Sequence, residues 1–271
     1  MKIKVKDFNI EQIAESGQCF RWNKVSDMHY RGIIGNKVCE IEQFNDEVKV
    51  NGITAEEFIN YFDISRDYSE IKNIYKNDPI VNEAIKCGEG IRILNQDKFE
   101  ILISFIISAN NNIPRIKKSI EKISKKYGKK IDDENYAFPT PIELSLATEE
   151  DLRECGVGFR APYIYKTCKA VLDGFNLDEV SKLETLKCKK ELMKLTGVGP
   201  KVADCIMLFS MQKLDAFPID VWIKRIMEEL YIKREVSLKE VEKFSKEKFL
   251  NYAGVVQQYL FFYAREKLNK N

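Results

Sequence analysis

Leu195-Thr196-Gly197-Val198-Gly199-Pro200-Lys201-Val202-Ala203-Asp204-Cys205, followed by Phe217-Pro218-Ile219-Asp220, is the stretch whose reading decides the fold. Residues 191–195 end a helix, because Gly197 is a strong stop signal. Gly199 frees the backbone a second time. Pro200 suits the first turn of a new helix, where its missing N–H costs nothing. The segment therefore reads as helix, tight glycine hairpin, helix. Backbone N–H groups gathered at such a helix start make a ready anion site. Lys201 falls in the first turn of the second helix. A cation there opposes the helix dipole, so the position suits an amine that reacts as a nucleophile. Asp220 reads as the N-cap of a helix beginning at Val221. Taken singly these are a turn, a solvated lysine and a cap; together they offer a phosphate grip, an amine and a carboxylate.

At 271 residues the chain can form one large or two medium domains, and 44% hydrophobic content supplies a core. A net charge of +2 does not announce a nucleic-acid partner, but its distribution says more. Residues 115–130 hold eight basic side chains (Arg115, Lys117, Lys118, Lys122, Lys125, Lys126, Lys129, Lys130) against one acid, Glu121. Such a run is either a solvated helix face or one that tracks phosphates. Residues 1–9 alternate charge and lack an apolar h-region, so no signal peptide is expected. No apolar run reaches transmembrane length, so no membrane partner is expected either. Seven scattered cysteines without a Cys-x-x-Cys pair argue for reduced thiols in a cytoplasmic protein, and against zinc or a disulfide framework. The one histidine, His29, disfavours His-based catalysis and reads as a surface or edge residue.

Taken in order, the chain begins as β and becomes α. Residues 2–8 alternate polar and apolar. Short strands over 30–34, 37–41 and 47–50 are divided by the turn pairs Gly35-Asn36 and Asn45-Asp46, which predicts an antiparallel sheet. Thr54-Ala55-Glu56-Glu57 is a capping box that opens a short helix to residue 62. Helical periodicity then predicts helices over 68–75, 79–87, 98–108, 113–127, 141–145, 149–155, 161–172, 185–195, 201–211, 221–230, 238–249 and 252–267. The expected class is α+β: an antiparallel-sheet region with short helices over 1–97, then an all-helical body over 98–271 with the hairpin at 190–211.

Four other places carry candidate chemistry. In Ser16-Gly17-Gln18-Cys19-Phe20-Arg21-Trp22 the glycine either permits close backbone approach or marks an ordinary bend. In Phe105-Ile106-Ile107-Ser108-Ala109-Asn110-Asn111-Asn112-Ile113-Pro114-Arg115 an apolar helix ends in three amides, of which a turn and a cap explain one well. Gly156-Val157-Gly158-Phe159-Arg160 is a second glycine-marked turn, with an aromatic wedge and a basic contact at its tip. Gln257 and Phe261 lie four apart and share one helix face.

Together these stretches resemble the 8-oxoguanine DNA glycosylase family, bifunctional glycosylase/lyases of the helix-hairpin-helix superfamily, in matching order from Gly17 to Phe261. The resemblance implies a TATA-binding-protein-like N-terminal sheet before the helical glycosylase body. It implies that Lys201 is the nucleophile and Asp220 the carboxylate that assists it. Cys205 and Phe261 would sandwich a flipped base. Gly17 would accept, through its carbonyl, the N7–H that only the oxidised base carries, and Gln257 would read the Watson–Crick edge. Asn110, Arg115 and Arg160 would fill the hole and read the orphaned cytosine, Phe159 would be the wedge, and Gly197 and Gly199 would hold a phosphate. The implied partner is double-stranded DNA containing 8-oxoguanine, bound by a monomer with neither metal nor organic cofactor.

The chain departs from the family at three places. Trp222 stands where animal members often carry a His, and an aromatic there can still pack in the pocket. Phe159 lacks the hydroxyl of the family's Tyr. Pro114 alters how Arg115 is presented, which makes strict preference for cytosine the least secure implication. Rival readings are a related glycosylase for another damaged base and a non-catalytic DNA-binding module. Cys205 is the last cysteine, which excludes the C-terminal four-Cys iron–sulfur cluster of endonuclease III-like members. Lys201 argues against the monofunctional alkyl-purine glycosylases, which lack it.

Overall fold

The computed structural model describes residues 1–268. Five antiparallel strands, β1 (Lys2–Lys4), β2 (Trp22–Ser26), β3 (His29–Ile34), β4 (Lys37–Phe44) and β5 (Glu47–Asn51), form one sheet in the order β1-β5-β4-β3-β2. Tyr30 pairs with Ile41 and Ile41 with Val50, so one face collects Trp22, Tyr30, Cys39, Ile41, Val48 and Val50. Helices α1 (Ile10–Glu15) and α2 (Ala55–Tyr61) cover that face with Ile10, Ile13, Phe58 and Tyr61. The first strand is shorter than the predicted 2–8, because Asp7 takes a positive φ and Asn9 caps α1. His29 lies on β3, which is paired on both sides, so it is not an edge residue.

The body comprises α3 (Tyr68–Ile74), α4 (Pro79–Cys87), α5 (Lys98–Ser108), α6 (Ile113–Tyr127), α7 (Pro141–Leu144), α8 (Glu149–Glu154), α9 (Ala161–Leu172), α10 (Leu177–Lys182), α11 (Thr185–Leu192), α12 (Pro200–Ser210), α13 (Val221–Ile226), α14 (Leu238–Phe249) and α15 (Ala253–Tyr263). Met227–Ile232 and Ala264–Leu268 continue α13 and α15 as π-helical turns. α5 and α12 pack together at the centre and are apolar on nearly every side, as buried helices are. α3 and α4 bury their apolar faces in this same core, so the sheet joins the body through shared packing. Residues 91–97 thread between the two halves: Asn95 N–H donates to the Tyr61 carbonyl and Gln96 N–H to the Phe209 carbonyl.

The backbone at Leu250 is strained. Leu250, directly after α14, has φ 51° and ψ −133° while its side chain is 65% exposed. A bulky residue pays about 1–3 kcal/mol in such a region. Leu250→Gly should therefore raise stability by roughly 1 kcal/mol, net of the added unfolded-state freedom. A higher denaturant midpoint at unchanged m-value would show this; an unchanged or lower midpoint would refute it.

Candidate active site

α11 and α12 are the two arms of the predicted hairpin. Gly197 has φ +86°, and a Cβ there would lie 2.8 Å from the Cβ of Tyr163, so two constraints hold that position to glycine. Gly199 differs from expectation: its φ of −89° suits any residue, and a Cβ would meet open space. Its backbone starts α12 with no side-chain cap and with Pro200 in the first turn. The uncapped N–H groups at this exposed start are left for an outside anion.

Lys201 and Cys205 lie one turn apart on α12 and share a face. The Lys201 Nζ sits 5.3 Å from the centre of the Phe105 ring, which stacks on Phe209 at 5.5 Å. Burial pushes the Cys205 thiol up to about 11, against a smaller opposing pull from the Lys201 cation. Asp220 caps α13, its Oδ1 accepting the Ile223 N–H at 2.9 Å. Burial raises its carboxyl above the ordinary range; that cap hydrogen bond and Lys201 oppose the rise. Lys201, Cys205, Asp220, Gln257, Phe261 and Gly17 surround one cavity of about 40 Å³. One water needs roughly 10–15 Å³ of such space, so the cavity has room for a few waters.

Two residues of its wall stand out. Gln257 is 4% exposed, and its Oε1 has no hydrogen-bond partner. Leaving a buried amide oxygen unpaired costs about 1–3 kcal/mol, which a bound donor would recover. Gly17 has φ +80°, and a Cβ on it would come within 3.1 Å of the Phe261 ring. Trp222, in contrast, packs half-buried against the helical core and is not among the residues around this cavity.

A second hollow, of about 470 Å³, gathers Asn110, Arg115, Lys118, Lys122, Phe159 and Arg160. The three amides have separate tasks. Asn110 takes φ +52° at the turn. Asn111 donates to the Ile107 carbonyl, and Asn112 caps α6 by accepting the Arg115 N–H at 3.0 Å. Pro114 occupies the first turn of α6, where proline is tolerated, and Arg115 stays exposed. Phe159 is 58% exposed, as a wedge must be. Arg160, read from the sequence as a basic contact at the tip of this turn, is 6% exposed and donates to the carbonyls of Ala109, Asn110 and Val157. In this structure it shapes the Asn110 turn. The basic helix is also only partly free, since Lys126 pairs with Asp151 and Glu154, and Lys130 with Asp133. Tyr163 joins the hollow to the hairpin by touching the Phe159 ring at 6.2 Å and closing over Gly197. Among the described residues no group of three or more His, Cys, Asp or Glu could hold a metal ion. No helix there is long and apolar enough to cross a membrane.

Known proteins share this arrangement. Residues 1–102 match the family described as 8-oxoguanine DNA glycosylase, N-terminal domain. Residues 103–250, more than half of the chain, match the HhH-GPD superfamily base excision DNA repair proteins. The chain belongs to this base excision repair superfamily. Among its relatives, the probable N-glycosylase/DNA lyase of Methanothermobacter thermautotrophicus is 32% identical, over 98% of this chain and 96% of its own length. The N-glycosylase/DNA lyase of Saccharomyces cerevisiae is 32% identical, over 85% of this chain and 70% of its own. The Clostridium acetobutylicum 8-oxoguanine glycosylase/lyase, in complex with double-stranded DNA containing cytosine opposite 8-oxoguanine, superposes with a TM-score of 0.94. It is 48% identical, covering 97% of this chain and 94% of that one.

Sequence reasoning missed Phe105 and Phe209 as the floor under Lys201. Both lie in helices that are apolar all round, so periodicity gave no facing direction. It also missed Gln18 and Gln258, polar residues with no local signal for burial.

Proposed function

We propose that the chain is a bifunctional repair glycosylase that excises 8-oxoguanine from duplex DNA and then nicks the strand by β-elimination, acting as a cytoplasmic monomer. The observation that carries this reading is the unpaired Gln257 Oε1, buried beside Lys201 and Asp220. A base edge bearing N–H donors is the group it lacks. The relatives named above point to the same chemistry, and seven free thiols suit a reducing compartment.

The sugar carbon C1′ is shielded inside a duplex, so the nucleotide must swing out, at a cost of about a few kcal/mol. Exposed Phe159 offsets part of this by wedging into the stack, and Asn110 fills the vacated space. The start of α12 and the exposed Arg115 and Lys118 hold phosphates, an affinity that falls with salt. Phe261 swings outward and closes on the extruded base against Cys205. The Lys201 amine attacks C1′, and the glycosidic bond breaks with its electron pair leaving on the base. Asp220 stabilises the cationic sugar and takes up the amine proton. The C1′–O4′ bond then opens, O4′ taking the proton back from Asp220, to give a Schiff base that acidifies C2′–H, and loss of that proton expels the 3′ phosphate. The experiment is to incubate the protein with duplexes holding one 8-oxoguanine opposite each of the four bases and to reduce with borohydride. Base release with a covalent protein–DNA adduct is the expected result. Cleavage without trapping would remove the Schiff base, and no release opposite any base would remove the substrate assignment.

Asp220 supplies a pH prediction. The carboxylate is the working form, so activity falls as pH drops through its pKa. Because burial raises that pKa, the acid limb should lie above the 3.8 of an ordinary aspartate. Asp220→Asn should lower single-turnover excision at least about 100-fold and erase the limb. A limb that persists in the variant would assign it to another group.

Gly17 supplies another. Gly17→Ala forces a side chain onto a left-handed backbone and against Phe261. Displacement of the carbonyl should reduce 8-oxoguanine excision roughly 10–100-fold. Unchanged single-turnover rates would refute the role of this carbonyl in testing N7–H.

A further inference from the structure

The turn that carries Gly17 is held from two sides, and one of them is the helix that also reads the base. Gln258 Nε2 donates to the Ser16 carbonyl at 2.7 Å. One turn past Phe261, Arg265 Nη1 donates to the Glu15 carbonyl at 2.8 Å, and its guanidinium lies 5.8 Å from the Phe261 ring centre. From the other side, Gln18 Nε2 donates to Ser16 Oγ and to the Arg92 carbonyl, both at 2.9 Å. Gln18 Oε1 accepts the Leu94 N–H, and Gln96 Nε2 donates to the Gln18 carbonyl at 2.9 Å. Gln18 and Gln258 are both buried.

Adjacent residues on a helix point about 100° apart. Gln257 therefore reaches the cavity while Gln258 reaches the neighbouring turn, and both are fixed to one rigid element. This matters because Gly17 is conformationally soft. A carbonyl that separates two bases by a single hydrogen must be held to within about 0.5 Å. Without an anchor, a turn at φ +80° could rotate its peptide planes and lose that register.

We propose that Gln258, supported by Arg265, is a positioning residue for lesion recognition. It fixes the Ser16–Gly17 peptide to α15, so that the Gly17 carbonyl and the Gln257 amide test the base at a set spacing. The proposal rests on the reading of Gly17 as the group that tests the oxidised base. It predicts a loss confined to steps that involve a base. The helix contributes its anchor, not its chemistry, and an abasic site presents no base to position.

The test compares two substrates, a duplex with one 8-oxoguanine and a duplex with one abasic site. Gln258→Met keeps the side-chain length and removes the donor. It should lower kcat/KM for 8-oxoguanine excision about tenfold, while nicking and borohydride trapping at the abasic site stay within about twofold of wild type. Arg265→Ala, at a half-exposed position, should show a smaller loss of the same selective kind, and it carries the test if Gln258→Met does not fold. Equal losses on both substrates would mean general loosening and would overturn the proposal. So would unchanged 8-oxoguanine excision in both variants. Wild-type protein that nicks abasic DNA but releases no 8-oxoguanine would overturn the reading of Gly17, and the proposal with it; wild-type excision with unaffected variants would overturn the proposal alone.

Discussion

Lys201→Gln is expected to abolish borohydride trapping and to lower single-turnover strand cleavage on the order of 10⁴-fold, the scale seen when a covalent nucleophile is removed. The size follows from what the position supplies. Lys201 stands over the Phe105 ring, on the same helix face as the Cys205 thiol and lining the same cavity as Asp220. Among the described residues no carboxylate lies within ion-pair distance of its amine, so the amine is not tied up in a structural bridge. Gln keeps much of the volume and the helix propensity, so the fold should persist and DNA affinity should drop only by the loss of one charge. A variant that binds an 8-oxoguanine duplex nearly as well as wild type, yet neither nicks nor traps, fits the assignment. Residual trapping would place the nucleophile elsewhere, and Lys189 is a half-buried basic residue of the same hairpin. That lysine, however, is held by Asp204 at 2.8 Å and by Glu242 at 3.0 Å. Its geometry is that of a bolt between α11, α12 and α14.

What the sequence disclosed and what it hid divide along a physical line. Helices α4, α5, α6 and α14 end where they were expected to, because each starts at a polar side chain that pairs with its own backbone: Asp78, Asp97, Asn112 and Ser237. Local chemistry of this kind is written in adjacent residues. α1, α10 and β2 were missed: Asn9 and Asn176 cap the two helices but without the reciprocal capping box that marks α7 and α8, which are no longer, and β2 buries only Trp22, so it shows no alternation. The juxtaposition of Lys201 and Asp220 could be read because Gly197 and the capping Asp220 constrain the local backbone. The state of Arg160 was not, because only the folded chain brings the carbonyls of Ala109 and Asn110 to it. The second layer around Gly17 was hidden for the same reason. Gln18, Gln96 and Gln258 satisfy carbonyls and N–H groups that lie 74 to 242 residues away.

Arg92→Met should cost about 4 kcal/mol or more of stability, a large share of the 5–15 kcal/mol that such a fold possesses. Arg92 is 2% exposed and its guanidinium is shared among six backbone carbonyls. Nε donates to Phe62; Nη1 donates to Lys6 and Asp7; Nη2 donates to Asp63, Ile64 and Arg66. The plane also lies 4.2 Å from the centre of the Tyr68 ring. Burial lowers its pKa, but an arginine keeps its charge near neutral pH. Those carbonyls come from the strand-to-helix loop at residues 6–7 and from the loop at residues 62–66, where the chain crosses from the sheet to the body. Met would fill much of the space and leave the carbonyls facing a thioether, so the penalty is that of several buried acceptors losing their donors at once. Lys, a point charge without the fork, should recover only part of the loss. The melting temperature should fall by roughly 10 °C in Arg92→Met, scaling from about 2–4 °C per kcal/mol for domains of 150–250 residues. A shift under about 2 °C would mean that water replaces the guanidinium without cost. The effect should also reach catalysis, because the Arg92 carbonyl is one of the acceptors that holds Gln18, and Gln18 holds the turn of Gly17. Below its lowered melting temperature the variant should therefore lose 8-oxoguanine excision more than abasic-site nicking. That ordering follows if one buried arginine both joins the two halves and sets the recognition turn, and it fails if the two tasks are separate.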